Sequence, residues 1–244
     1  MNNYRRVVVK AGTNVLTSKT QRLDRKVVSR LVDQLALLHK EGIEVLLVTS
    51  GAIAIGRQIL DYNLSSKDVP SRQVLASIGQ SHLMNIYQEC FSKYDLRIAQ
   101  ALITKEDITH RQGYLNIRNT LNTLLEKRVI PIINENDVVE ISEIQENVIG
   151  DNDSLSALVT NLVDADLLIM LTDTAGLYTA DPKQNKTAQL INQVSVFDEE
   201  INRLATTESN PMGRGGIAAK IAAAKLVIAS GSTAVIAPGL TANV

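Results

Sequence analysis

The chain has 244 residues, with 25 Lys and Arg against 26 Asp and Glu, three His and one Cys. A formal net charge of −1 argues against a nucleic-acid or acidic-membrane surface. The lone Cys90 excludes an internal disulfide and fits a reducing, cytoplasmic setting, and no apolar run reaches membrane-spanning length. With only His39, His82 and His110, histidine-built metal sites and Ser-His-Asp triads are disfavoured.

Val7-Val8-Val9 predicts a short buried strand that ends in Lys10-Ala11-Gly12. From Arg25 to Glu41 the apolar residues Val27, Leu31, Leu35 and Leu38 recur at helical spacing, with Gly42 as the residue just past the helix end. Val45 to Val48 predicts a second strand, ending in Thr49-Ser50-Gly51 before a new helix. Pro70-Ser71 opens a long helix to about Tyr94, with Ser71 its expected N-cap. Ile98 to Thr104 then reads as a strand, Gly113 to Lys127 as a helix and Val129 to Ile133 as a strand.

That last run ends in Asn134-Glu135-Asn136-Asp137, and Gly150-Asp151-Asn152-Asp153 follows just before another helix start. Leu167 to Leu171 predicts a strand ending in Thr172-Asp173, and Thr174 to Pro182 reads as a loop punctuated by Gly and Pro. A second glycine-rich loop, Asn210 to Gly216, leads into an Ala-rich helix from Ile217 to Ala229, and Thr233 to Ala237 is a final strand. Strands alternate with helices and are apolar throughout, which predicts an α/β fold with a mostly parallel sheet covered on both faces.

Four of the strands end in Lys10-Ala11-Gly12, Thr49-Ser50-Gly51, Asn136-Asp137 and Thr172-Asp173. In a parallel sheet these ends share one edge, where open α/β sheets bind ligands. Strand ends favour turn residues in any case, so each ending alone carries little; a lysine at the first is harder to explain that way. The loop Gly213-Arg214-Gly215-Gly216 places Lys220 one turn inside a helix, where its side chain leans back toward the loop. Two lysines, helix starts and an Asp/Asn cluster suit phosphoryl transfer, in which positioning and charge stabilisation dominate.

Val9 to Thr13, Leu47 to Ala54, Gln73 to Gln80, Ile132 to Asp137, Gly150 to Leu158, Leu171 to Asp173, Gly176 to Pro182 and the Gly213-x-Gly215-Gly216 loop occur in this order along the chain. In this respect the sequence resembles the amino acid kinase family. The resemblance implies a three-layer sandwich with an eight-stranded, mostly parallel sheet between helices. It implies one kinase domain over 1–244, with a glutamate side to about residue 160, an ATP side from about 161, and no appended PUA domain.

The implied reaction is ATP- and Mg²⁺-dependent phosphorylation of the L-glutamate γ-carboxylate, at the head of proline biosynthesis. Another acyl-phosphate-forming kinase, for N-acetylglutamate or aspartate, and a non-catalytic amino-acid sensor are the alternatives. By matching position, Ser50, Asp137 and Asn152 would hold glutamate. Lys10 and Lys220 would neutralise the phosphates, and Asp153 would orient them. Thr172, Asp173, Arg214, Gly215, Gly216, Ile217, Ala218, Ala219 and Lys220 would contact the nucleotide, with Mg²⁺ carried on its phosphates and no protein metal ligand. Feedback inhibition by proline, near Asp137 to Asn147, and a homo-oligomer are further implications. The sequence departs from the usual family pattern at Ala11, Asn14, Arg214 and Ala219.

Overall fold

A computed structural model of the chain describes residues 4–18, 20, 22–60, 68–139, 152–180, 182, 185–194 and 216–241. The β-branched run near the start forms β1 (Arg6–Ala11), and a single turn of helix, α1 (Thr13–Leu16), follows at once. Then come α2 (Arg25–Lys40), β2 (Glu44–Val48), α3 (Ala52–Leu60) and α4 (Val69–Ser92). The middle of the chain gives β3 (Ile98–Ile103), α5 (Lys105–Thr109), α6 (Arg111–Glu126) and β4 (Ile130–Glu135). The last third gives α7 (Asn152–Leu162), β5 (Leu167–Thr172), β6 (Leu177–Tyr178), β7 (Leu190–Ile191), α8 (Ile217–Ala229) and β8 (Thr233–Pro238).

Among the described residues, six strands form one wholly parallel sheet in the order β3-β4-β2-β1-β5-β8. The expected three layers are present, but the eight strands do not share one sheet. β6 and β7 form a separate antiparallel pair, within and just beyond the stretch expected to be loop. Two-residue strands flanked by Gly176 and Pro182 are too short for a periodic signal.

Alternate residues of each strand feed two cores. Val7, Val9, Val45, Leu47, Ile130 and Ile132 pack with residues of α2, α3 and α4, including Val28, Leu35, Ile55, Leu83 and Phe91. Val8, Leu46, Val48, Ile133, Leu168 and Met170 pack with Leu121 and Leu125 of α6, Leu155 and Val159 of α7 and Val227 of α8. A sheet buried on both faces needs apolar residues at every strand position, which is why these strands read as continuous runs.

Of two helix ends read from the sequence, one stands and one shifts. Gly42, at φ +93°, follows α2 as predicted. At the start of α4 the N-cap is Asp68, not Ser71: its carboxylate accepts from the Ser71 amide at 3.1 Å. Pro70 occupies the first turn, where its missing N–H costs nothing, so the cap must precede it.

α3 and α4 touch backbone to backbone. A Cβ added to Gly56 would stand 1.9 Å from the Leu75 carbonyl oxygen, and one added to Gly79 would stand 1.7 Å from that of Ala52. Only glycine permits such an approach. The contact fixes α4 against the helix that begins at the end of β2.

Candidate active site

From β1 the chain passes to β2, crosses to the edge at β3 and comes back inward to β4, then passes to β5 and β8 on the other side of β1. The strand order therefore reverses at β1, and the crevice at the carboxyl edge there is the expected ligand site. Lys10, the penultimate residue of β1, pairs in register with Val48 of β2 and Met170 of β5. Both neighbours face the α7 side, and so does the lysine.

Asp153 lies in the first turn of α7, where the free amides of a helix start favour a carboxylate. Its Oδ1 is 2.6 Å from Lys10 Nζ, and its Oδ2 accepts a hydrogen bond from Lys220 Nζ at 2.8 Å. Lys220 ends the first turn of α8, whose N-cap is Gly216. The Asp153 side chain is 1% exposed, against 8% and 12% for the two lysines. Burial pushes its carboxyl upward, but Lys10 and Lys220 outweigh that and hold it below the usual carboxylate range. The trio carries one positive charge in excess.

One residue earlier, Asn152 turns the other way. Its Nδ2 lies 2.8 Å from the Thr49 carbonyl, 2.6 Å from Ser50 Oγ and 3.2 Å from Asn134 Oδ1. An amide nitrogen only donates, so Ser50 Oγ accepts here and keeps its own O–H for another partner. Asn134, at the end of β4, donates through Nδ2 to Gln80 Oε1 of α4 at 2.9 Å. Beneath this cluster Thr49 Oγ1 and Tyr87 Oη are 2.6 Å apart, and burial pushes the tyrosine hydroxyl's pKa far up, keeping it protonated. Gly51 adopts φ +101°, a conformation costly for any side chain, and turns the chain from Ser50 into α3.

Thr172 closes β5 beside β1; its carbonyl accepts from the Gly239 amide at 2.7 Å, and its hydroxyl is 3.3 Å from that of Thr174. Asp173 follows, half-buried. Asp137 is half-buried two residues beyond β4. Gly216, Ile217, Ala218 and Ala219 form the start of α8 leading to Lys220. Arg214 and Gly215 lie outside the described residues, as does the segment from 140 to Asn147. Among the described residues no three His, Cys, Asp or Glu side chains gather as a metal site. No described helix is long and apolar enough to cross a membrane.

Sequence reasoning expected Lys10, Lys220 and Asp153 to converge and set Ser50 and Asn152 on one ligand, and the structure brings each set together; it gave no role to Asn134 or Gln80. The spacing of Gln80 from Ala76, Leu83 and Tyr87 marks the buried face of α4, and the contact with Asn134 shows what the amide does there. Asn134 did carry a signal, as an amide that directly ends an apolar run.

The family's sequence model, that of the amino acid kinases, matches residues 5–238. The chain belongs to the amino acid kinase family. Its curated relatives include the glutamate 5-kinase of Dehalococcoides mccartyi strain CBDB1, 51% identical over 238 residues, which cover 98% of this chain and 64% of that protein. The glutamate 5-kinase of Citrifermentans bemidjiense is 46% identical over 239 residues, covering 98% and 63% respectively. The chain thus spans about 64% of the length of these relatives. Among solved structures, the fold is similar to that of carbamate kinase from Giardia lamblia bound to AMP-PNP. That match has TM-score 0.68 at 16% identity and covers 99% of this chain and 95% of that one. For this amino acid kinase chain the likeness speaks to architecture alone.

Proposed function

We propose that the chain transfers the γ-phosphoryl group of ATP to the γ-carboxylate of L-glutamate. The observation that carries this reading is the buried Lys10–Asp153–Lys220 bridge at the point where the strand order reverses. The identity to relatives named glutamate 5-kinase supports the choice of substrate.

A glutamate side-chain carboxyl in water titrates at pH ~4.3, so the nucleophile is already ionised at neutral pH and needs no base. Asp153, held ionised between two ammonium groups, is suited to orienting them rather than to proton transfer. In the proposed reaction a carboxylate oxygen bonds to the γ-phosphorus while the bond to the β-bridging oxygen breaks, giving γ-glutamyl phosphate and ADP. Lys10 and Lys220 neutralise the charge that spreads over the transferring group. Ser50, Asn152 and Asp137 bind glutamate; Thr172, Asp173 and the start of α8, with Arg214 and Gly215, serve the nucleotide. Because both Asp153 oxygens face ammonium groups, Mg²⁺ is assigned to the phosphate oxygens of the nucleotide.

The test is hydroxamate formation with ATP and L-glutamate. Turnover of N-acetylglutamate or aspartate in its place would assign a different acyl-phosphate kinase, and no turnover of any would leave a sensor. Loss of activity on adding proline would establish feedback inhibition. A cytoplasmic, homo-oligomeric enzyme is part of the same reading.

A further inference from the structure

The amide chain beside the bridge has a direction. The Thr49 carbonyl can only accept, so the atom 2.8 Å from it must be Asn152 nitrogen. That nitrogen also lies against Asn134 Oδ1, which fixes the second amide, and Asn134 nitrogen then donates to Gln80 Oε1. Two ends remain. Asn152 Oδ1, an acceptor, and Gln80 Nε2, a donor, are buried and have no partner among the described residues. Gln80 is 9% exposed and Asn152 is 6% exposed. A buried polar atom without a partner costs free energy, so two at one site call for explanation.

An α-amino acid carries the complement to both ends: an ammonium for the acceptor and a carboxylate for the donor. We propose that Gln80 binds the α-carboxylate of the amino-acid substrate through Nε2, while Asn152 Oδ1 takes the ammonium. The side-chain carboxylate must face Lys10 and Lys220, where phosphorus arrives. Gln80 is two amides removed from that end and belongs to α4, on the opposite face of the sheet from α7. It therefore meets the other end of the substrate. The glycine contact between α3 and α4, at the residue just before Gln80, sets where this side chain starts. The inference rests on the proposed glutamate kinase reading and adds a specificity residue to it.

Two substitutions separate direct contact from mere support of Asn134. Gln80→Glu keeps an acceptor for Asn134 and replaces the donor with an oxygen that repels a carboxylate; Gln80→Met removes both. Direct contact predicts that the glutamate KM rises about 10–100-fold in Gln80→Met and further in Gln80→Glu, with the ATP KM unchanged. A supporting role predicts the reverse order, with Met the more damaging, and that order would overturn the proposal, as would an unchanged glutamate KM in either folded variant. Should Gln80→Glu fail to fold, 4-aminobutyrate, which lacks the α-carboxylate, decides as a competitor against glutamate. Direct contact predicts that Gln80→Met weakens glutamate but leaves the 4-aminobutyrate inhibition constant unchanged, and equal losses for both would overturn the proposal. Wild-type protein that does not phosphorylate glutamate defeats the underlying reading by itself, and this inference falls with it.

Discussion

Lys10 and Lys220, near opposite ends of the chain, terminate on the two oxygens of one carboxylate, at 2.6 and 2.8 Å. In the proposed reaction these two cations, gathered on one buried anion, receive the negative charge of the phosphoryl group. Asp153 supplies the attraction that keeps them adjacent when no phosphate is bound.

Replacing Lys220 with Ala removes one preorganised donor from the transferring group. Turnover should fall by about 10²–10³, or ~3–4 kcal/mol of transition-state stabilisation, while circular dichroism stays native. Near-normal kcat in the folded variant would take Lys220 out of the chemistry.

The Asp153 pair of ion bonds also makes stability depend on pH. Its folded-state pKa is depressed, so its contribution is present above the unfolded carboxylate value of ~3.9 and is lost as pH falls through the lower folded value. Asp153→Asn should lose about 3 kcal/mol at neutral pH, lowering Tm by roughly 6–12 °C. Its thermal midpoint should also fall less steeply than wild type below about pH 4. Parallel midpoint-versus-pH curves for the two proteins would contradict the assignment.

Asp137→Ala should weaken glutamate far more than nucleotide, since the residue lies beyond β4, on the side of β1 away from Thr172 and Asp173. Losing one charged hydrogen-bond partner corresponds to a rise of about 10–100-fold in the glutamate KM. Steady-state kinetics with each substrate varied in turn gives the answer; equal losses for ATP and glutamate would place Asp137 elsewhere.

Gly79→Ala tests the α3–α4 contact. The added methyl would lie 1.7 Å from the Ala52 carbonyl oxygen, which neither backbone can accommodate without moving. A cost of about 2–3 kcal/mol or more is expected, seen as a Tm drop of at least roughly 4–8 °C. Because the displaced helix carries Gln80, a raised glutamate KM should accompany it. An unchanged melting curve would mean the helices sit farther apart than described.

The carboxyl edge of the sheet was legible because the buried strands β1, β2, β4 and β5 are unbroken apolar runs that stop at Lys10, Thr49, Asn134 and Thr172. Strand order was not, since runs buried on both faces carry no mark of their neighbours. α1 and α5, at four and five residues, are too short for a helical period to show. Gln80 was hidden for another reason. Its spacing from Ala76, Leu83 and Tyr87 puts it on the buried stripe of α4, but a polar side chain breaks the apolar pattern by which such a stripe is read.

The strand holding Lys10 is made before the other five strands of its sheet yet lies in the interior, between β2 and β5. As the polypeptide leaves the ribosome, one side of β1 has no partner until residues 167–172 emerge, and parallel pairing of distant segments is slow to form. An apolar strand left open in that interval is a template for intermolecular pairing. Overproduction at low temperature, or with holding chaperones, is the corresponding remedy, and truncation before β5 should give aggregates rather than a stable half-molecule.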